Sequence, residues 1–262
     1  MQLTISLAQI HVALGDPEKN IKKAVEWTAE AARRGSNLII FPEMWTTGLA
    51  WEHLKTLSLE QDDVIHAVAG LAKKYNLWLN GSMLALNDEG RPTNTSILFD
   101  PQGRQAGVYR KIHRFGLMNE DHYLAAGQHL TTVETPWGHA GLAICYDLRF
   151  PEMFRTYALG GVSIVYLPSA WPHPRLAHWR TLLRARAIEN QMYLVAANQV
   201  GSDGTYDFCG HSTMIDPWGE IVLEAGEAEV LLTATIETER VAAVRQKIPV
   251  FKDRRPELYQ LD

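Results

Sequence analysis

The stretch that decides the fold is Gly141-Leu142-Ala143-Ile144-Cys145-Tyr146-Asp147-Leu148-Arg149-Phe150-Pro151-Glu152. Its apolar start reads as a short buried strand. The polar part, with Pro151 placed to open a helix, reads as a strand-to-helix turn. Cys145 falls at that turn, where backbone N–H groups can stabilise anionic sulfur or an oxyanion. Two other runs are built alike. Leu38-Ile39-Ile40-Phe41-Pro42-Glu43 is strand-like and ends at a carboxylate. Val108-Tyr109-Arg110-Lys111-Ile112-His113 puts a lysine after another strand. A thiol, a carboxylate and an ammonium at three strand ends form a candidate nucleophilic site.

Strand and helix signals alternate outward from there. Asp16-Pro17 supplies an N-cap and a first-turn proline. Ile21, Ala24, Val25, Thr28 and Ala32 then recur at helical spacing, and Gly35 closes the helix. A second helix is expected over Asp62–Tyr75, before a strand over Leu77–Met83. Strand-like runs near 94–100 and 104–110 flank the turn Asp100-Pro101-Gln102-Gly103. One helix follows Cys145, and another carries Trp179, Leu182, Leu183 and Ala187 on one face. Asp216-Pro217-Trp218-Gly219 is a further hairpin turn, and the segment from Met1 to Ile10 reads as a strand without a basic leader. Crossover units mixed with hairpins imply an α/β chain of two mixed sheets with helices outside. No linker, repeat or low-complexity tract interrupts it, so a single domain over 1–262 is expected.

Composition narrows the classes. A hydrophobic fraction of 46% over 262 residues is ample for a core. A net charge of −5 and a pI near 6.1 argue against nucleic-acid binding. No run approaches the roughly 18 apolar residues of a membrane span, so no membrane partner is expected. Two cysteines do not make a disulfide framework, and a reducing cytoplasm fits a usable thiol. The ten histidines show neither His-Glu-x-x-His nor His-x-His spacing, so no metal is expected. Cys209 has no comparable setting and reads as structural.

These segments resemble the nitrilase superfamily of carbon–nitrogen hydrolases over nearly the whole chain. The resemblance takes in Ala8-Gln9, Phe41-Pro42-Glu43, Tyr109-Arg110-Lys111-Ile112-His113 and the cysteine segment. It continues through Arg184-Ala185-Arg186-Ala187-Ile188-Glu189-Asn190, Gly210-His211-Ser212 and Asp216-Pro217-Trp218-Gly219-Glu220. Within the superfamily the chain looks most like the omega-amidases, which hydrolyse the terminal amide of 2-oxoglutaramate and related dicarboxylate monoamides. The resemblance implies a four-layer α-β-β-α sandwich, a homodimer and no cofactor. It implies Cys145 as nucleophile, Glu43 as general base and Lys111 as the oxyanion-stabilising cation. The Tyr146 N–H becomes a second oxyanion donor, and Glu120 an auxiliary glutamate that orients lysine and substrate. Arg149 matches the position that meets a substrate's remote carboxylate, an ion pair with Glu152 or Asp147 being the structural alternative. The loop Ser169-Ala170-Trp171-Pro172-His173-Pro174-Arg175 matches the acyl-pocket loop, with Trp171 as an apolar wall and Arg175 or His173 able to meet a carboxylate. That loop is the shorter tryptophan–proline form and departs from the longer, threonine-bearing loop of animal and fungal omega-amidases.

The residue types suit amide hydrolysis. A thiol of pKa about 8.5 is little ionised at neutral pH, so a carboxylate must take its proton as attack proceeds. A buried ammonium then holds the developing oxyanion. The same triad serves N-carbamoyl amino acid hydrolases, aliphatic amidases and acyl esterases. True nitrilases typically carry tryptophan and glutamate where Tyr146-Asp147 stands. A papain-like enzyme would need a histidine base, and no Gly-x-Ser-x-Gly elbow marks a serine hydrolase. A silent binding member of the fold is the reading from another class.

Overall fold

The computed structural model describes residues 1–259. In chain order the first half contains β1 (Gln2–Gln9), α1 (Pro17–Arg33), β2 (Leu38–Ile40), α2 (Leu54–Tyr75), β3 (Trp78–Leu86), β4 (Pro92–Phe99), β5 (Gln105–Arg110) and the short α3 (Glu120–Tyr123). The second half contains β6 (Thr132–Thr135), β7 (Gly138–Leu142), α4 (Pro151–Leu159), β8 (Ile164–Ser169), α5 (Leu176–Asn190) and β9 (Tyr193–Asn198). It ends with β10 (Val200–Ser202), β11 (Asp207–Cys209), β12 (Thr213–Ile215), β13 (Ile221–Glu224), β14 (Val230–Glu237) and α6 (Arg240–Lys247).

Two six-stranded sheets result, ordered β14-β1-β2-β3-β4-β5 and β13-β12-β9-β8-β7-β6. Each has three parallel strands at its centre, β1-β2-β3 in one and β7-β8-β9 in the other, with antiparallel strands outside them. Alternation along the strands sets the layers. Leu3, Ile5, Leu7, Leu38, Ile40 and Leu98 join Leu142, Ile164, Tyr166 and Val195 in one core between the sheets. Ile39, Leu79, Ile97 and Phe99 point the other way, toward Ala24 and Ala31 of α1 and Val68, Leu71 and Ala72 of α2. Phe154, Tyr157, Trp179, Leu183 and Ala187 close the far side from α4 and α5. This is the expected α-β-β-α sandwich.

Local signals explain the ends. Asp16 caps α1 by accepting the Lys19 N–H at 3.0 Å, with Pro17 in the first turn. Helix α2 starts at Leu54, not at Asp62 as expected. Asp62 and Asp63 imitate a helix start, but Leu57 and Gln61 lie on the buried face that Val68, Leu71 and Ala72 continue. Burial of that face extends the helix through the two aspartates.

The central parallel strands deliver chemistry at their carboxyl ends, where open α/β sheets build their sites. Glu43 follows β2, the cysteine turn follows β7, and Ala170-Trp171 follows β8. Lys111 follows the edge strand β5 and is pinned at both sides. Its N–H donates to the Asn94 carbonyl at 2.9 Å, and its own carbonyl accepts the Gly127 N–H at 2.8 Å.

Candidate active site

Cys145 opens a 3-10 turn, Cys145–Arg149, between β7 and α4. It adopts φ +44°, a left-handed conformation that costs a non-glycine residue about 1–2 kcal/mol. The bend turns the thiol out of the sheet while leaving it buried, and the Tyr146 N–H follows at the start of the turn. Glu43, Lys111 and Glu120 are buried with it, each no more than 3% exposed. The structure therefore brings together all four side chains expected of the site.

Counting donors separates the two glutamates. Glu43 Oε1 accepts from Lys111 Nζ at 2.7 Å and Asn94 Nδ2 at 2.8 Å, and Oε2 accepts from the Ala170 N–H at 2.8 Å. A carboxylate offers about four acceptor positions, so one remains on Glu43. Glu120 has none left. Its Oε1 accepts from Lys111 Nζ at 2.8 Å and Asn94 Nδ2 at 3.2 Å, and its Oε2 from Lys111 Nζ at 2.7 Å and the Phe115 N–H at 2.6 Å. Of the two, only Glu43 can take a further proton from a neighbour without breaking an existing bond.

The electrostatics agree with that division. Burial pushes the Cys145 thiol well above its ordinary pKa, and the charge of Glu43 adds to this while Lys111 opposes it. The resting thiol is protonated and needs a base. Burial disfavours the Lys111 ammonium, but Glu120 and Glu43 outweigh burial and raise its pKa, so the cation persists. Burial also raises Glu120, with Glu43 adding to it and Lys111 opposing.

A narrow cleft opens beside the thiol. Phe115, Tyr146, Arg149, Trp171, Pro172 and Arg175 line it. The Trp171 N–H donates to the Asn198 side-chain carbonyl at 2.7 Å and its indole N–H to the Arg175 carbonyl at 2.9 Å, which fixes the wall. The Arg149 guanidinium lies 4.6 Å from the Trp171 ring centre and that of Arg175 lies 5.4 Å from the Phe115 ring. Neither arginine pairs with a carboxylate among the described residues. The ion pair from Arg149 to Glu152 or Asp147 is not formed, and the guanidinium instead lies 3.5 Å from His178 Nδ1.

Asn94 is a site residue that the sequence reading does not anticipate. It bridges both glutamates, and Ser82 Oγ holds its carbonyl at 2.7 Å. The one signal for it is the polar run Thr93-Asn94-Thr95-Ser96 inside an otherwise apolar strand. Among the described residues no group of three or more metal-ligating side chains converges. Cys209 is buried near Asn198 with its pKa pushed up to about 12, chiefly by burial, and lies outside the pocket.

A family model described as carbon-nitrogen hydrolase matches residues 4–246. The chain is a carbon–nitrogen hydrolase. This hydrolase is 38% identical over 260 residues to a 2-oxoglutaramate amidase of Bacillus subtilis (strain 168), covering 99% of the chain and 100% of the relative. It is 32% identical over 270 residues to omega-amidase NIT2 of Mus musculus, covering 99% and 98%. The hydrolase also superposes on a Xanthomonas campestris CN-hydrolase superfamily protein carrying an arsenic adduct in its active site. That match has a TM-score of 0.92 and 29% identity, and covers 100% of both chains. No described helix of the hydrolase is long and apolar enough to cross a membrane.

Proposed function

We propose that the chain works as one thiol amidase domain that releases ammonia from a small dicarboxylate monoamide, of the 2-oxoglutaramate kind, through a thioester on Cys145. The observation that carries the reading is the pocket beside the thiol, bordered by two guanidiniums without carboxylate partners among the described residues. A planar guanidinium suits a bidentate carboxylate contact, and a substrate carboxylate would supply the missing partner. The amidase relatives named above support the same substrate class.

In this reading Glu43 takes the thiol proton into its remaining acceptor position as sulfur attacks the amide carbon. Lys111 and the Tyr146 N–H hold the tetrahedral oxyanion. In the resting site Nζ directs its three N–H groups at Glu43 and both oxygens of Glu120, so one Glu120 contact passes to the oxyanion. The intermediate collapses, the C–N bond breaks, and the amine leaves as ammonia with the proton from Glu43. Water activated by Glu43 then hydrolyses the thioester to the acid. Arg149, Trp171 and Arg175 hold the far end of the acyl chain. A homodimer in the cytoplasm completes the proposal. A reducing compartment keeps both free thiols, and the exposed Ile188 and Ile221 offer apolar surface for a second copy.

The test is ammonia release from 2-oxoglutaramate, succinamate, glutamine and propionamide, with a nitrile and an ester alongside. Preference for the two dicarboxylate monoamides supports the reading. Equal use of propionamide would remove the carboxylate clamp, and preference for the ester or nitrile would replace the amidase assignment.

A further inference from the structure

We infer that Asp147 is a positioning residue, tying the nucleophile turn to the strand end that carries Lys111; the inference rests on the roles proposed above for those two groups. Asp147 lies two residues past Cys145 and is fully buried. Its Oδ2 accepts the Ile144 N–H at 2.8 Å and the Tyr109 hydroxyl at 2.7 Å. Its Oδ1 accepts the His113 backbone N–H at 3.2 Å and His113 Nδ1 at 2.7 Å. Ile144 directly precedes the nucleophile. Tyr109 and His113 stand two residues to either side of Lys111. One carboxylate therefore spans the two sheets at the point where thiol and ammonium must keep their distance.

The four donors fill the carboxylate, which leaves it no position for substrate or for a transferred proton. They also fix the proton of His113 on Nδ1, because an ionised carboxylate only accepts. The rest of the assembly is rigid. The His113 ring stacks on Phe150 with centres 3.6 Å apart and planes 8° apart, and the Tyr109 hydroxyl accepts the Ile112 N–H at 3.2 Å. A left-handed residue such as Cys145 persists only where its surroundings over-determine it. The Asp147–Ile144 bond is one such constraint, applied at the residue before the strained one. Asparagine at 147 would turn an N–H₂ either toward Ile144 and Tyr109, loosening both sides of the tie, or toward the two His113 groups, loosening the lysine side.

The test uses Asp147→Asn and Tyr109→Phe in the full chain. The folded fraction of each preparation is read from tryptophan fluorescence across a urea titration, and turnover is expressed per folded molecule. A role in folding alone would lower the folded fraction and leave turnover per folded molecule unchanged. The positioning role predicts turnover per folded molecule down about 10- to 100-fold in Asp147→Asn, the size of effect that a displacement of about 1 Å produces. Tyr109→Phe removes one donor and should lower it about 2- to 10-fold. Should Asp147→Asn fail to fold, Tyr109→Phe decides alone. Cys145→Ala run alongside tests the thiol mechanism separately. If that variant is inactive while the Asp147 and Tyr109 variants keep wild-type turnover per folded molecule, the positioning role is overturned and the mechanism stands.

Discussion

Replacing Lys111 by methionine tests the buried charge cluster most sharply. One ammonium sits between two carboxylates, 2.7 Å from Glu43 and 2.7 and 2.8 Å from the two oxygens of Glu120. Methionine fills much of the same volume and carries no charge. The two carboxylates then share only the Asn94 amide and the N–H groups of Ala170 and Phe115. Removing one partner of a buried ion pair costs about 3–5 kcal/mol, and the surviving donors put this case near the lower end, about 3 kcal/mol at pH 7.5. Proton uptake relieves part of it. Glu120 is already raised by burial and by Glu43, and losing Lys111 removes the main opposing influence. A carboxyl raised above its unfolded value of about 4.3 holds its proton more tightly in the folded state. Its stabilisation is complete below that value and is lost as pH rises through the folded pKa. The deficit of the variant relative to wild type should therefore shrink on going from pH 7.5 to 5.5, by at most about 2.7 kcal/mol for one proton over two pH units. Urea unfolding followed by tryptophan fluorescence at the two pH values measures this. A variant as stable as wild type at both, or a deficit that does not change with pH, would refute the argument.

Three further outcomes follow from the same geometry. Arg149→Met should raise KM for dicarboxylate monoamides about 10-fold or more while leaving propionamide kinetics nearly unchanged, since a charge-assisted contact contributes about 1.5–3 kcal/mol; steady-state kinetics with both substrates checks it. Gly127→Ala should lower both the melting temperature and turnover, because a Cβ there would collide with the Arg110 carbonyl beside Lys111, and scanning calorimetry with an ammonia assay reads both effects. Asn94→Leu should keep the apolar packing of β4 but cut turnover about 10-fold or more, since it withdraws one donor from each glutamate; unchanged turnover would show that Asn94 only fills space.

Much of the fold and the centre of the site are legible in the amino-acid order. The continuous apolar runs Leu38–Phe41 and Ile164–Leu167 mark strands buried on both faces, a pattern that needs no partner to be read. Cys145, Glu43 and Lys111 stand out because each follows the end of such a strand-like run. Glu120 is reached only through the family resemblance, since its loop carries no local pattern. The start of α2 is misplaced because Asp62-Asp63 satisfies the local rule for a helix start while Leu57 obeys a tertiary one. Asn94 and Asp147 stay hidden for a different reason. A buried polar residue reveals its role through partners far along the chain, and Asp147 meets Tyr109 and His113 more than 30 positions away. The roles of Glu43 and Glu120 likewise separate only when the donors around each can be counted.

The central claim is that Cys145 carries the reaction and that a dicarboxylate monoamide fills its pocket. The direct measurement is ammonia release from 2-oxoglutaramate by wild type and Cys145→Ala at equal concentrations of folded protein. Wild type should release ammonia steadily and the variant none above background. Release by Cys145→Ala at a rate near that of wild type would contradict it.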